Sequence, residues 1–375
     1  MRILLMADIH IGSIKEIPYV YNTITDIIEK EIIFKKTDLV VILGDYFHRL
    51  FKVNEEYVSL AINIISFLVR SCKRSNTKIR IIYGTESHEM NQYKLFNHYI
   101  TSKSIDIEII DRVTSENING CDILYIPEEY VDNKMKYYKE YLYSGKQYKY
   151  IFGHGVIIEG MPAAISYSDN DDNKEKKVPR FKSGELSSIS DICVFGHYHI
   201  FSNICDNVYY LGSLFRDSFG EEEAKGYGII EDDQFTFVEN KNAYIFKTYE
   251  FNENSNIYDS SDNIVKEINK IKEENKNVFN GDIQGSIRII FKTPKDIDKS
   301  FRENLKSLLM NDKCIHPLIK EYSEDLSNDL KDEIDDEFSF ILDNSIPLVD
   351  KLFRYISHVY DNPMSQKELE KYIKF

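Results

Sequence analysis

The chain has 375 residues, of which 42% are apolar and 29% charged. This suits a folded protein with a large core and more than one domain, and excludes a disordered one. The net charge of −15 at pH 7 argues against nucleic-acid binding over the whole surface, but not against a local basic groove or a nucleic-acid-binding partner.

The chain opens at once on a strand. MRILLMADIH carries one basic and one acidic side chain, Arg2 and Asp8, and lacks the long apolar segment and small-residue cleavage site of a secretory signal. Buried-strand patterns follow at residues 2–7, 39–43, 79–83, 105–110, 123–126, 150–153, 192–195, 208–211, 228–230 and 234–238. Several are continuous apolar runs, as strands covered on both faces require. Helical periodicity fills residues 19–35 and 55–72, the second with Val58, Ala61, Ile62, Ile65 and Leu68 on one stripe. Strand–helix alternation in the first half predicts α/β units, and the strand-rich residues 150–238 predict a second, more antiparallel sheet. Residues 166–180, with their lysine cluster, read as a solvated loop.

After about residue 245 the pattern changes to a small α+β region. Residues 249–251 read as a strand end, 263–272 as a helix, 286–292 as an alternating strand, 297–310 as a helix and 315–321 as another strand. An acidic stretch at 321–337 reads as a linker. Further segments at 338–342 and 346–358 precede a closing helix, and Val349, Leu352, Phe353 and Ile356 form an apolar stripe. The expected division is 1–245, 246–322 and 323–375. No apolar run approaches the roughly 20 residues of a membrane span. The five cysteines show no CxxC spacing, and Cys121 and Cys193 lie in apolar runs as buried thiols. A reducing cytoplasm is the expected location.

Five polar signatures punctuate this order: ADIH (Asp8, His10), GDYFH (Asp45, His48), GTESHE (His88), GH (His154) and GHYH (His197, His199). Each follows a predicted strand, which is where open α/β sheets place their chemistry. Carboxylates mixed with imidazoles, without cysteine, suit a pair of divalent cations such as Mn²⁺, Fe or Zn²⁺ rather than Ca²⁺. Such a pair, about 3.5–4 Å apart and bridged by one carboxylate, can supply the charge neutralisation, hydroxide and leaving-group help that phosphoester hydrolysis demands. Asp45, beside the permissive Gly44, is the natural bridge. Alone each signature is weak; their order and strand-end context give the combination its force.

The combination resembles the calcineurin-like metallophosphoesterases, whose pattern runs D-x-H, GD, GNHD/E, H and GHxH. More narrowly it resembles SbcD-type nuclease subunits of double-strand-break repair and their phage counterparts. His48, three residues after Asp45, and the stretch YYLGSLFRDSFGEEEAKGYGII carry the narrower likeness. It is specific over residues 1–240 and only architectural beyond. The resemblance implies a two-sheet β-sandwich flanked by helices, a small α+β capping domain that contacts DNA, and a C-terminal helical segment that binds an SbcC-type coiled-coil ATPase. It implies one cation on Asp8, His10, Asp45 and His199, and another on Asp45, Ser87, His154 and His197. His88 would act in catalysis, and His48 would support the transition state or position substrate. The ions would be Mn²⁺ above all, with Mg²⁺, Fe or Zn²⁺ as alternatives. The activity would be 3′–5′ duplex exonuclease and single-strand endonuclease, in a homodimer with no membrane attachment.

One departure stands out. GTESHE replaces GNHD/E, so that, counting back from His88, Ser87 stands where the family has a metal-binding Asn. A second ion held more loosely is the consequence, with Glu86 as a substitute ligand. Tyr46 and Phe47 read as packing beneath the site. Arg216 is a candidate phosphate contact, set against an ordinary surface pair. A phosphatase or small phosphodiesterase of the same superfamily, and a catalytically weak scaffold recruiting an ATPase, remain as alternatives.

Overall fold

The structure is a computed structural model that describes residues 1–14, 16–102, 104–160, 180–252, 254–280, 284–293 and 315–321. The expected loop before Arg180, the helix at 297–310 and the segments after Glu321 lie outside these residues. The described residues form two compact units. The larger includes Met1–Tyr249 and Asn269–Arg288; the smaller includes Glu250–Ile268 and residues 289–293. The interval 246–322 is therefore shared between the units.

In the larger unit, β1 (Ile3–Met6), β2 (Leu39–Leu43), β3 (Lys78–Ile82) and β4 (Ile107–Ile110) run parallel in that order. A second sheet begins with β5 (Thr114–Ile118), β6 (Cys121–Ile126) and β7 (Tyr148–His154). After a short parallel pairing of β8 (Val156–Ile157) with β9 (Arg180–Phe181), it continues with β10 (Ser190–Gly196), β11 (Ser202–Cys205) and β12 (Val208–Tyr210). The chain then returns to the first sheet as β13 (Gly226–Glu231) and β14 (Gln234–Glu239). The sheet orders are β14-β13-β1-β2-β3-β4 and β11-β12-β10-β7-β6-β5.

The second sheet is not the more antiparallel one that the sequence pattern predicts, because each sheet has two antiparallel strand pairs. Its centre, β6-β7-β10-β12, is parallel, and only the edge pairs β5–β6 and β11–β12 are antiparallel. The runs YIFG and ICVFG already imply this, because continuous apolar strands belong where both faces are covered. β13 and β14, assigned by position to the second sheet, pair instead with β1.

Alternating residues of the central strands build the layer between the sheets, with Leu5, Val41, Leu43, Tyr125, Phe152 and Val194 all fully buried. Each such side chain contributes about 1.5–3 kcal/mol through burial. On the outer face of the first sheet lie α1 (Ile17–Ile28) and α2 (Glu56–Ser75), packed through Ile24, Ile28, Leu60, Ile65 and Leu68. Helix α1 starts on a Pro18 near its N-terminus and runs into a wider π-type turn, Glu29–Ile33. Such turns accommodate one extra residue in a helix. Tyr46 and Phe47 are fully buried in this layer. Strands β15 (Ile245–Phe251), β16 (Gly285–Thr293) and β17 (Ile315–Glu321) form a third sheet in the order β15-β16-β17, and a helix spans Ser261–Glu274. In the described residues no helix is long and apolar enough to cross a membrane. Cys72, Cys121, Cys193 and Cys205 are free thiols; Cys193 is buried and Cys121 only partly so.

Candidate metal centre

All five signatures fall at carboxyl ends of parallel strands. Asp8 follows β1, Asp45 follows β2, His88 follows β3, His154 ends β7 and His197 follows β10. Leaving the strand costs backbone strain. Asp8, His10 and Asp45 each have φ of 47°, and His197 has 104°, values in the region that non-glycine residues rarely adopt. Main-chain bonds hold these turns together: His10 N–H donates to Asp45 O at 3.0 Å and Ile11 N–H to Tyr46 O at 2.9 Å. The two sheets are joined at the same point, where His197 N–H donates to the Asp8 carboxylate at 3.0 Å. Gly196 makes that approach feasible, since a Cβ there would lie 2.3 Å from Leu43 O and 3.1 Å from Asp8 Oδ2.

Asp45 is the hub. Its Oδ2 is 3.1 Å from His88 Nδ1, 3.5 Å from His154 Nε2 and 3.8 Å from His10 Nε2. His10 Nε2 and His199 Nε2 lie 3.0 Å apart. Ligand atoms within 4.8 Å of one another form the groups Asp8–His10–His199, His10–Asp45–His88, Asp8–Asp45–His154 and Glu128–His154–His197. Asp8, His10, Asp45 and His154 are all buried. Thus Asp8, His10, Asp45, His88, His154, His197 and His199 come together. His48 borders them, its ring centred 5.5 Å from that of His10 and 6.1 Å from that of His88.

Burial and charge push these groups in different directions. Burial raises Asp8 above the usual carboxylate value, against the pull of His154 and His199. Burial would raise Asp45 too, but the His154, His88 and His10 imidazoles hold it well below the usual range. Burial drives His10 well down, leaving a neutral ring. The hydrogen bond to Asp45 raises His88. Burial, with the charge of nearby His88 and Arg49, lowers His48.

The residues fit a pair of cations. His154 Nδ1 donates to Leu43 O at 2.7 Å. That bond fixes the tautomer and turns the Nε2 lone pair inward. His154 Nε2 is buried with no hydrogen-bond partner, an arrangement that costs free energy unless an electrophile completes it. The buried carboxylates of Asp8 and Asp45 meet imidazoles, main-chain N–H groups and a hydroxyl, a donor set suited to divalent metals.

Two sequence candidates lie elsewhere. Ser87 is exposed, in the short helix α3 (Glu86–Glu89). The side chain directly after Gly84 faces the site instead: Thr85 N–H donates to Asp45 Oδ1 at 2.7 Å and Thr85 Oγ1 lies 3.2 Å from Asp45 Oδ2. Glu86 and Ser87 lie in the helical turn and are exposed, so Thr85 rather than Ser87 stands beside Asp45. Arg216 spends its guanidinium on main-chain carbonyls of Glu223 at 2.8 Å and Tyr244 at 3.3 Å. It lines a separate cavity of about 480 Å³ with Asn240, Lys241 and Lys247.

Three carboxylates escape the sequence reading. Glu128 faces His197 and His154. Glu89, fully buried, takes Gly84 N–H at 2.5 Å, Tyr46 N–H at 2.7 Å and the Tyr93 hydroxyl, fixing the loops on either side of Asp45. Asp217 takes the Ser13 hydroxyl at 2.8 Å and lies 4.0 Å from His199 Nδ1; burial pushes its carboxyl up to about 6. The final E of GTESHE and the D beside Arg216 were available as signals. Glu128, in IPEEY, looks like any surface glutamate.

Residues 1–201 match the family described as calcineurin-like phosphoesterase. No curated protein matches the chain. Among solved structures, TT1561 of Thermus thermophilus is 12% identical, with 64% of this chain and 99% of that one covered and a TM-score of 0.37. The protein of unknown function AQ665 from Aquifex aeolicus is 14% identical, with 50% and 93% covered and a TM-score of 0.22. The family match spans more than half of the 375 residues and includes the converging strand ends, so this chain belongs to the calcineurin-like phosphoesterases.

Proposed function

We propose that this phosphoesterase cleaves DNA phosphodiester bonds with Mn²⁺, as the nuclease subunit of an SbcCD-type complex acting in recombination, repair or replication. The observation that supports this best is the pair His48 and His88 beside the shared carboxylate Asp45, with ring centres 6.1 Å apart. Asp8, His10, Asp45 and His199 would hold one cation; Asp45, His154 and His197 would contribute to the other. When bound, the pair supplies charge neutralisation for the phosphate, a nucleophile at neutral pH and relief for the leaving oxygen. His88 keeps its proton through Asp45 and donates it to the departing oxygen. His48, at the exposed rim, positions the phosphate. An SbcC-type ATPase would supply duplex access and DNA affinity that a chain of net charge −15 lacks. The small α+β region would contact DNA, the C-terminal segment would bind the ATPase, and the chain would pair with a second copy.

The same net charge favours a second reading, a phosphatase or small-molecule phosphodiesterase. The test is Mn²⁺-dependent cleavage of labelled duplex and single-stranded DNA, with and without the ATPase, by the chain and by His88→Ala. Loss of about 10²–10⁴-fold in the variant is expected. Equal cleavage by both proteins would remove the role of His88. Hydrolysis of bis-p-nitrophenyl phosphate without DNA cleavage would select the second reading, and complex assembly without any cleavage a scaffold.

A further inference from the structure

Glu128 follows Pro127, just beyond the end of β6. Proline cannot donate to a ladder and commonly marks where a strand stops. The next N–H, that of Glu128, donates to Tyr83 O at 3.0 Å, so the chain leaving the second sheet is pinned to the Gly84 loop of the first. This pin turns the Glu128 side chain inward, where it is only 2% exposed. Its Oε1 accepts the Tyr130 hydroxyl at 3.0 Å. Its Oε2 lies 3.3 Å from His197 Nδ1, 3.7 Å from His154 Nε2 and 3.4 Å from Thr85 Oγ1.

A buried glutamate normally finds a lysine, an arginine or several N–H donors. This one faces two imidazole nitrogens, one of which, His154 Nε2, has no hydrogen-bond partner and also points towards Asp45 Oδ2 at 3.5 Å. Glu128, His154 and His197 present their ligand atoms within 4.8 Å of one another. The geometry points to Glu128 as a ligand of the second cation, beside Asp45, His154 and His197, in the place that the sequence pattern gives to Ser87. This inference rests on the two-cation reading of the site but not on DNA as its substrate.

The consequence runs opposite to the one drawn from the sequence. With a hydroxyl at Ser87 the second ion would be loosely held. With the Glu128 carboxylate the second ion has two acidic ligands, Asp45 and Glu128, in place of one, and hard divalent ions gain an additional anionic oxygen. The second ion is then held tightly.

The test is calorimetric titration of the metal-free full chain with Mn²⁺, with electron paramagnetic resonance reporting the spin-coupled ion pair. Glu128→Gln keeps the shape and removes the charge. It should weaken the second ion by at least about 10- to 100-fold, the range for losing a group that merely supports a ligand, and abolish the coupled signal while the first ion binds as before. Ser87→Ala should leave both ions and the coupled signal unchanged. Glu128→Asp, which keeps the charge on a shorter stem, should weaken the second ion less than Glu128→Gln, and decides the matter should the glutamine variant not fold. An unchanged second ion in Glu128→Gln, or its loss in Ser87→Ala, would overturn the assignment. Two ions bound tightly without DNA cleavage would sink the nuclease reading and leave Glu128 in place.

Discussion

Asp45 does two jobs at once: it bridges the candidate ligand groups and it sets the charge of His88. Its Oδ2 lies 3.1 Å from His88 Nδ1, and that bond is the main reason the imidazole holds its proton more firmly than usual. In the metal-free chain, Asp45→Asn should therefore lower the His88 pKa, read from its ring C–H shifts in a pH titration. An unchanged titration would mean that His88 takes its charge from elsewhere. The site residues also carry backbone strain. Asp8, His10, Asp45 and His197 all have positive φ, at roughly 1–3 kcal/mol each. Burial of the surrounding strands offsets that cost, and the gain is that side chains from five strand ends meet at one point.

At the scale of elements, the helical layer is fixed to the first sheet by a buried ionic knot away from the site. Glu31, in the π-type turn, pairs with Arg2 before β1 and accepts the Tyr227 hydroxyl of β13 at 2.9 Å. Arg2 also donates to Glu31 O at 2.9 Å and Thr37 Oγ1 at 2.7 Å. Burial alone would raise the Glu31 carboxyl, but the bonds from Arg2, Tyr227 and Lys35 outweigh it and hold it below its ordinary value. A carboxyl lowered in the fold stabilises above its unfolded pKa and loses that contribution as pH falls through the folded one. Chemical denaturation should thus show stability from this knot declining once pH drops below about 4.5. Glu31→Ala should cost about 3–5 kcal/mol at pH 7, because it removes the buried partner of the Arg2 charge and leaves only the exposed Glu231 carboxylate, 3.4 Å away. A loss below about 1 kcal/mol would show the knot to be solvated.

The same scale explains what the sequence made legible. Continuous apolar runs such as LVVIL marked β2 to the residue, since a strand covered on both faces leaves no other pattern. Helix α2 was legible from its stripe. Strands β5, TSENI, and β11, SNIC, were not, because edge strands are short, polar and half-exposed. Assignment of β13 to the first sheet depends on a long return of the chain, which no local pattern encodes. At the site, residues that follow buried strands were legible and Glu128 was not. Its role arises from one long-range bond, Glu128 N–H to Tyr83 O, which carries no sequence signature.

For the whole molecule, the net charge of −15 and the buried carboxylates of the site pull in one direction. Both repel a polyanion unless cations are bound and a partner contributes positive surface. Under the proposed nuclease reading, cleavage of DNA by the isolated chain should be weak and change little with added salt, because few phosphates are neutralised, whereas addition of an SbcC-type ATPase should strengthen it and make it fall steeply with salt. Strong cleavage by the chain alone that falls steeply with salt would contradict the need for a partner. Beneath these expectations lies the claim that strand ends from two sheets surround a pair of cations on Asp45. Crystals grown with Mn²⁺ and measured at the manganese absorption edge test it most directly. Two anomalous peaks, both within bonding distance of the Asp45 carboxylate and divided between the His10–His199 and His154–His197 sides, are expected. No peak at Asp45, or manganese bound only at surface carboxylates, would contradict it.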